Sequence, residues 1–485
     1  MRLPLTLPLV MAVCLALALP PVAAAQQKVT LREAIDLAQK QSLGARAASS
    51  AREAARERDH GFNARLFPQV SLTGELPSYS RSIVRVRGDS GDRAVPFQVQ
   101  SSTLGLTVEQ QLPFSGGRLA VTSGLSQLQS PAEPNGRSWS STPLFITLQQ
   151  ELRRPNSLRW DAREQDLRID GAERSFLDAR EQIAQETAAA FFDVYRARAA
   201  LDNATSNVAV NDTLYTLNKG RLEVGKIAEN DLLSSELALL RARNAADGAR
   251  LEYDRAMAAL RLALNLAPDV PLEIEVTNEI PAVNADTTVA IAQAVRNSAQ
   301  MKELELQDLQ ARRRVTEARL LGGIGGTITA SYGFNQTAGV IDSVYRDLLS
   351  ARQFTLGVQI PLWRWGAHGA DVQAARAEQD RVAAISERSR RQLVLDAKFA
   401  ALQLDQAARQ LAIAAKADTV ANKRFEVAKN RYVIGKIDFT ELNLAQNEKD
   451  QALQSYLFAL RGYWVAYYGL RRTTLYDFVE GRAIR

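Results

Sequence analysis

The sequence predicts an internally duplicated α+β protein in which long α-helical hairpins are joined to amphipathic β-strands. Two observations carry that reading. A thirteen-residue segment, Arg221-Leu-Glu-Val-Gly225-Lys226-Ile227-Ala-Glu-Asn230-Asp231-Leu-Leu, returns in register as Arg431-Tyr432-Val-Ile-Gly435-Lys436-Ile437-Asp438-Phe-Thr440-Glu441-Leu-Asn. Each copy also interrupts a helical pattern far longer than a globular domain uses, and each such pattern follows segments that alternate apolar and polar residues.

The chain opens with Arg2, an apolar run from Leu3 to Leu19, a Pro-Pro break and Ala23-Ala24-Ala25. That order of basic, apolar and small residues predicts a secretory signal, residues 1–25, cleaved after Ala25. A transmembrane anchor needs about 20 apolar residues, and Pro4, Pro8, Pro20 and Pro21 interrupt this one. The single cysteine, Cys14, lies within the signal and follows Val13, which is too large for a lipid-attachment site. The processed chain is therefore expected to carry no thiol, disulfide or lipid anchor through that residue.

With 46% apolar and 24% charged residues and no second long apolar run, the rest reads as water-compatible. The net charge of +6 is modest for 485 residues and is spread among acids, which gives no support to nucleic-acid binding. The densest basic run, Arg312-Arg313-Arg314, reads as a solvated helix face. Two distant histidines, His60 and His368, offer no metal cluster, and no cofactor or catalytic site is expected. Gly322-Gly-Ile-Gly-Gly326 lacks the Lys-Ser/Thr ending of a phosphate loop and reads as entry to a strand. Tyr463, Trp464, Tyr467 and Tyr468 read as aromatic packing.

The halves open alike. Thr30 is placed to cap a helix with Leu31, Ala34, Ile35 and Ala38 at helical spacing, and Thr288 starts a counterpart with Val289, Ala292 and Val295. Each helix is expected to run on, to Leu66 and to Leu320. Strands follow at Val70–Leu76 and Ile328–Phe334, and return strands at Phe145–Leu152 and Phe354–Leu362. The first half inserts a further hairpin, Leu104–Leu112 and Leu119–Leu125, about the turn Ser115-Gly116-Gly117. The repeats span 26–270 and 288–470, with a linker at 271–287 and a C-terminal tail at 471–485.

Helical pattern resumes near Ser157 and Ala367 and continues for roughly 60 residues, or about 90 Å. Gly225 and Gly435 are placed to end these helices in a left-handed conformation. Asn230 and Thr440 are placed to cap the next helices, with Asp231 and Glu441 in their first turns. Each repeated segment is thus the tip of an antiparallel hairpin whose return arm runs from Leu232 to Leu266 or from Leu442 to Leu470.

Four principal strands, or six with the inserted hairpin, are too few for a single-chain membrane barrel, which needs at least about eight. An outer-membrane barrel would therefore require several copies. The strands alone fit equally a non-channel periplasmic coiled-coil scaffold with a small sandwich.

The paired tips Arg221–Leu232 and Arg431–Leu442, the openings Ala34-Ile-Asp-Leu-Ala and Ala292-Gln-Ala-Val, and Leu356-Gly-Val-Gln-Ile-Pro-Leu362 before a long helix separate these readings. In this order they resemble the TolC-type outer-membrane efflux proteins (outer membrane factors). The resemblance implies an α+β membrane protein: a homotrimer whose amphipathic strands form one shared twelve-stranded outer-membrane β-barrel in lipid, continued by a periplasmic tube of helical hairpins. It leaves the extra hairpin at 101–129 unplaced. It also implies a passive exit duct of a tripartite efflux or type I secretion system, partnered by a periplasmic adaptor (membrane fusion protein) and an inner-membrane transporter, and no enzyme.

Carried over residue by residue, the resemblance makes Val224, Gly225, Lys226, Ile434, Gly435 and Lys436 adaptor-docking tip residues. Asp231 matches an acid and Tyr432 a tyrosine of the periplasmic gate, and Glu441 an acid at the constriction. Where some members place a gate arginine this chain has Ile437, with Lys436 or Arg431 as the available substitutes.

Overall fold

A capping box opens the described chain. The computed structural model describes residues 27–88, 91–130, 136–276, 281, 283 and 285–485; the expected signal segment, with Cys14, lies outside them. After β1 (Gln27–Thr30), Thr30 caps α1 (Leu31–Gln41): its hydroxyl accepts from the Glu33 amide, and the Glu33 carboxylate accepts from the Thr30 amide. The Thr30 amide, and then its hydroxyl, both donating to the Glu33 carboxylate, hold that carboxyl below its ordinary pKa. Leu31, Ala34, Ile35 and Ala38 are buried on one face, as the spacing predicts.

The expected uninterrupted helix to Leu66 is in fact two. Ser42, in extended conformation, ends α1, and α2 follows (Leu43–Ala64). The second half breaks at the equivalent place: Asp286 caps α5 (Thr287–Asn297), Ser298 is extended, and its hydroxyl caps α6 (Ala299–Leu321). Serine bonds local backbone and so competes with helix continuation.

Between these helices lie β2 (Gln69–Gly88), β3 (Gly91–Leu112), β4 (Gly117–Gln129) and β5 (Arg137–Leu152), then α3 (Ser157–Glu223) and α4 (Glu229–Ala263). A short β6 (Leu272–Glu275) falls inside the expected linker and pairs in parallel with β1, burying Val29, Leu272 and Ile274. The second half continues with β7 (Gly325–Ala338), a 3-10 turn (Ile341–Tyr345), β8 (Leu349–Gln359), α7 (Ala367–Val433) and α8 (Phe439–Thr474). A minimal hairpin, β9 (Tyr476–Asp477) and β10 (Arg482–Ala483), ends the chain. The long helices α3 and α7 have 67 residues each, about 100 Å at the α-helical rise.

The chain forms two compact units. One comprises the segment ending at Leu43, Ile183–Ala282 and Ala407–Tyr468; the other comprises Gly44–Gln182, Val283–Gln406 and Gly469–Arg485. In the first, Phe191, Leu260, Leu264, Leu442 and many alanines are buried, so closely packed small residues supply the core. The aromatic group expected to pack does so: Trp464 stacks on Phe192, with ring centres 5.8 Å apart.

The second unit holds a six-stranded antiparallel sheet in the order β2-β3-β4-β5-β7-β8. The inserted hairpin is therefore neither peripheral nor unplaced: β3 and β4 separate β2 from β5. The sheet of one chain therefore holds all six strands, where the expectation of a twelve-stranded barrel counted four and left the inserted hairpin open. The middle of the Arg312–Arg314 run is also not a solvated face. Arg313 bonds Asp161, Glu164 and Glu317 at 2.6–2.8 Å. Burial opposes its charge, yet the three carboxylates outweigh it and raise the guanidinium pKa.

Candidate functional site

The duplicated segments form two helix-to-helix turns of the same construction. After α3, Lys226 N–H donates to the Arg221 carbonyl and Gly225 N–H to the Leu222 carbonyl, each at 2.8 Å. After α7, Lys436 N–H donates to Arg431 and Gly435 N–H to Tyr432, each at 2.9 Å. These crossed bonds form a Schellman turn, which satisfies the last helical carbonyls and requires a left-handed residue at the glycine. Gly225 and Gly435 have φ of +70° and +74°. An added Cβ at either would meet nothing within 4 Å, so the backbone conformation alone demands glycine.

The turns expose Val224, Gly225 and Lys226 on one tip and Ile434, Gly435 and Lys436 on the other. The return helices begin earlier than expected. Ala228, without a side-chain bond, is the N-cap of α4; Asn230 already lies inside that helix. On the second tip Asp438, not Thr440, is the cap, and its carboxylate accepts from the Glu441 amide at 2.8 Å. The tips thus share a turn and differ in the cap.

Asp231 and Glu441 are exposed in the first turns of α4 and α8. Tyr432 is buried instead, and its hydroxyl donates to Asn218 Oδ1 of α3 at 2.7 Å rather than to Asp231. Arg221, also on α3, donates to the Val433 carbonyl at 2.9 Å and to the Tyr432 carbonyl at 3.3 Å. Its guanidinium lies 5.2 Å from the centre of the Tyr432 ring. Around them Leu214, Phe425, Ala428, Leu442 and Ala445 close a small core, against which Ile437 and Phe439 pack. Ile437, which stands where some family members have arginine, is therefore an apolar contact rather than an ionic one.

Asn218 and Arg221 are the residues sequence reasoning missed here. Arg221 belongs to the duplicated segment, and its position two residues before the helix end at Glu223 was the available signal. A second polar layer lies further from the tips. Lys449, nearly buried, donates to Asn207 Oδ1 at 3.2 Å and stands 4.7 Å from the Phe425 ring centre. Asp450 accepts from Asn203 and Asn207 at 2.8 and 2.7 Å. Among the described residues no group of three or more His, Cys, Asp or Glu side chains is placed to hold a metal ion, and no helix is long and apolar enough to cross a membrane.

Long hairpins ending in paired tips, joined to strands with an apolar face, are a fold shared with solved outer-membrane channels. The second repeat carries the family signature itself: residues 288–474 match the family described as outer membrane efflux protein. Over that segment the match supports the resemblance to TolC-type outer-membrane efflux proteins.

Solved structures share the fold along nearly the whole chain. The Campylobacter jejuni CmeC outer membrane channel is 15% identical, covering 94% of this chain and 87% of its own, with a TM-score of 0.68. The Vibrio cholerae outer membrane protein VceC is 14% identical, covering 93% and 96%, with a TM-score of 0.65. The Neisseria gonorrhoeae MtrE outer membrane channel, solved in an open state, is 15% identical over 92% and 88%, with a TM-score of 0.63. No curated protein matches the chain in sequence.

Proposed function

We propose that three copies of this chain form the exit duct of a tripartite efflux or type I secretion system. The duct passively conducts substrate delivered by an inner-membrane transporter and a periplasmic adaptor. In this reading 26–270 and 288–470 are structural repeats, and each contributes one docking tip. The observation that carries it is the pair of exposed Schellman turns, built alike and presenting an aliphatic residue, a glycine and a lysine. Glycine leaves backbone open to close approach, and lysine adds charge for an acidic or carbonyl-rich helical tip on the adaptor.

Val224, Gly225, Lys226, Ile434, Gly435 and Lys436 dock the adaptor. Asp231, Tyr432 and Glu441 belong to the gate, but in different ways. The exposed Asp231 and Glu441 supply negative charge, which favours cations where copies converge. Tyr432, through Asn218 and Arg221, holds the second tip to α3.

The test is charge reversal at both lysines, Lys226→Glu with Lys436→Glu. Export in cells should fall while oligomer assembly in the outer membrane stays normal. Undiminished export at normal expression removes the tips from docking.

A further inference from the structure

The inserted hairpin carries information that the duct reading alone does not use. Directly paired residues in neighbouring antiparallel strands point to the same side of a sheet. One row across all six strands reads Val70, Val108, Val121, Ile146, Tyr332, Arg352. A neighbouring row, starting at β4, reads Leu119, Leu148, Ala330, Phe354. The opposite side reads Glu109, Ala120, Thr147, Ser331, Gln353 in one row and Arg118, Gln149, Thr329, Thr355 in the next. There Arg118 bonds Gln149 at 2.8 Å and approaches Glu109 at 3.4 Å. The same side of β3 and β4 carries Leu104, Leu106, Val108, Leu119, Val121 and Leu125, broken only by Gln110 and Ser123 within that stretch, and the two strands also supply their share of the polar face.

A surface extension in water gains nothing from an apolar face in register with its neighbours. A strand in a lipid-bounded wall requires one. Among the described residues the sheet also ends in two unpaired edges, β2 and β8. Their apolar side chains are the barest: Leu72 and Phe354 are 67% and 71% exposed, against 37% for Ile146 and Leu148 on the interior strand β5. Six alternating strands leave β2 and β8 running in opposite directions, so β8 of one copy beside β2 of the next continues the antiparallel order.

We propose that β3 and β4 lie in the barrel wall, that β8 pairs with β2 of a second copy, and that three copies close an eighteen-stranded barrel. The number of copies rests on the duct reading above; the six-strand share rests on the sheet. At a strand spacing of about 4.8 Å and a tilt of about 40°, twelve strands give a backbone radius of about 12 Å and eighteen about 18 Å. The membrane section of this duct is accordingly wider than a four-strand share allows.

The test places single cysteines, labelled with a polarity-sensitive fluorophore, in the full-length protein reconstituted in phosphatidylcholine vesicles. Leu106→Cys and Val121→Cys probe the apolar face of the hairpin, and Ile146→Cys and Leu356→Cys probe the same face elsewhere. All four should be quenched by a lipid-borne quencher and protected from iodide, whereas Thr107→Cys and Thr122→Cys should be iodide-accessible. Iodide quenching at 106 and 121, with lipid quenching at 146 and 356, puts the hairpin outside the wall and overturns the proposal. Iodide quenching at all four overturns the membrane barrel itself. Paired cysteine scans of β2 against β8 should yield disulfide-linked trimers; dimers as the largest ring-closed species, or linkage only within a copy, overturn the eighteen-stranded closure.

Discussion

At the scale of single residues, Tyr432 carries more than its place in a repeated motif indicates. Its hydroxyl, ring and carbonyl are each engaged by α3 residues, through Asn218 and Arg221. Tyr432→Phe leaves the buried Asn218 oxygen without its donor and should cost about 1–3 kcal/mol of stability, read as an earlier thermal transition. Combined with Asp231→Asn, it should also raise single-channel conductance if the contact holds the gate; lowered stability at unchanged conductance assigns the tyrosine to packing alone. Tyr463 gives a pH-dependent counterpart. Burial first, and Tyr467 second, push its pKa from 10.0 up to about 12, while its hydroxyl donates to the Pro281 carbonyl. Because the folded state keeps the proton that the unfolded state releases, this contribution is complete below pH 10 and is lost as pH rises toward 12. Denaturant titrations across that window should show a steeper alkaline loss for the wild type than for Tyr463→Phe.

At the scale of elements, what was legible was periodic. Long runs at helical spacing, strict alternation and glycine at the tips all express local backbone physics, and α3, α7 and the two Schellman turns follow from them. Positions set by competition between near-equal local choices were not legible: the breaks at Ser42 and Ser298, and Asp438 rather than Thr440 as cap. Contacts between distant segments were also hidden, since Tyr432 and Asn218 lie 214 residues apart and the place of β3 and β4 depends on pairing with β2 and β5. The two tips now differ in one testable respect. Asp438→Ala should cost about 1 kcal/mol by removing the α8 cap, and Ala228→Asp should add a cap to α4 and gain up to a similar amount. Amide hydrogen exchange at the first turns should speed up in one variant and slow down in the other; equal rates before and after would show that the caps do not set tip stability.

At the scale of the whole molecule, the sheet is the element that invites a second copy. Among the described residues it carries an apolar face and ends at the edges β2 and β8, and an exposed sheet edge beside apolar side chains is a template for pairing with another chain. The helices have no such requirement within the first unit, where Phe191, Leu260, Leu264 and Leu442 are buried within the chain itself. Strand and helix structure should therefore respond differently to dissociation. In detergent solution, the circular-dichroism signal of the strands should be lost together with the oligomer, and the midpoint should rise with protein concentration because assembly is part of the folded state. Much of the helical signal should persist past that transition. Strand loss at a temperature independent of concentration, or well above dissociation, would instead mean that one chain holds its sheet alone, and the unpaired edges would then not be what drives assembly.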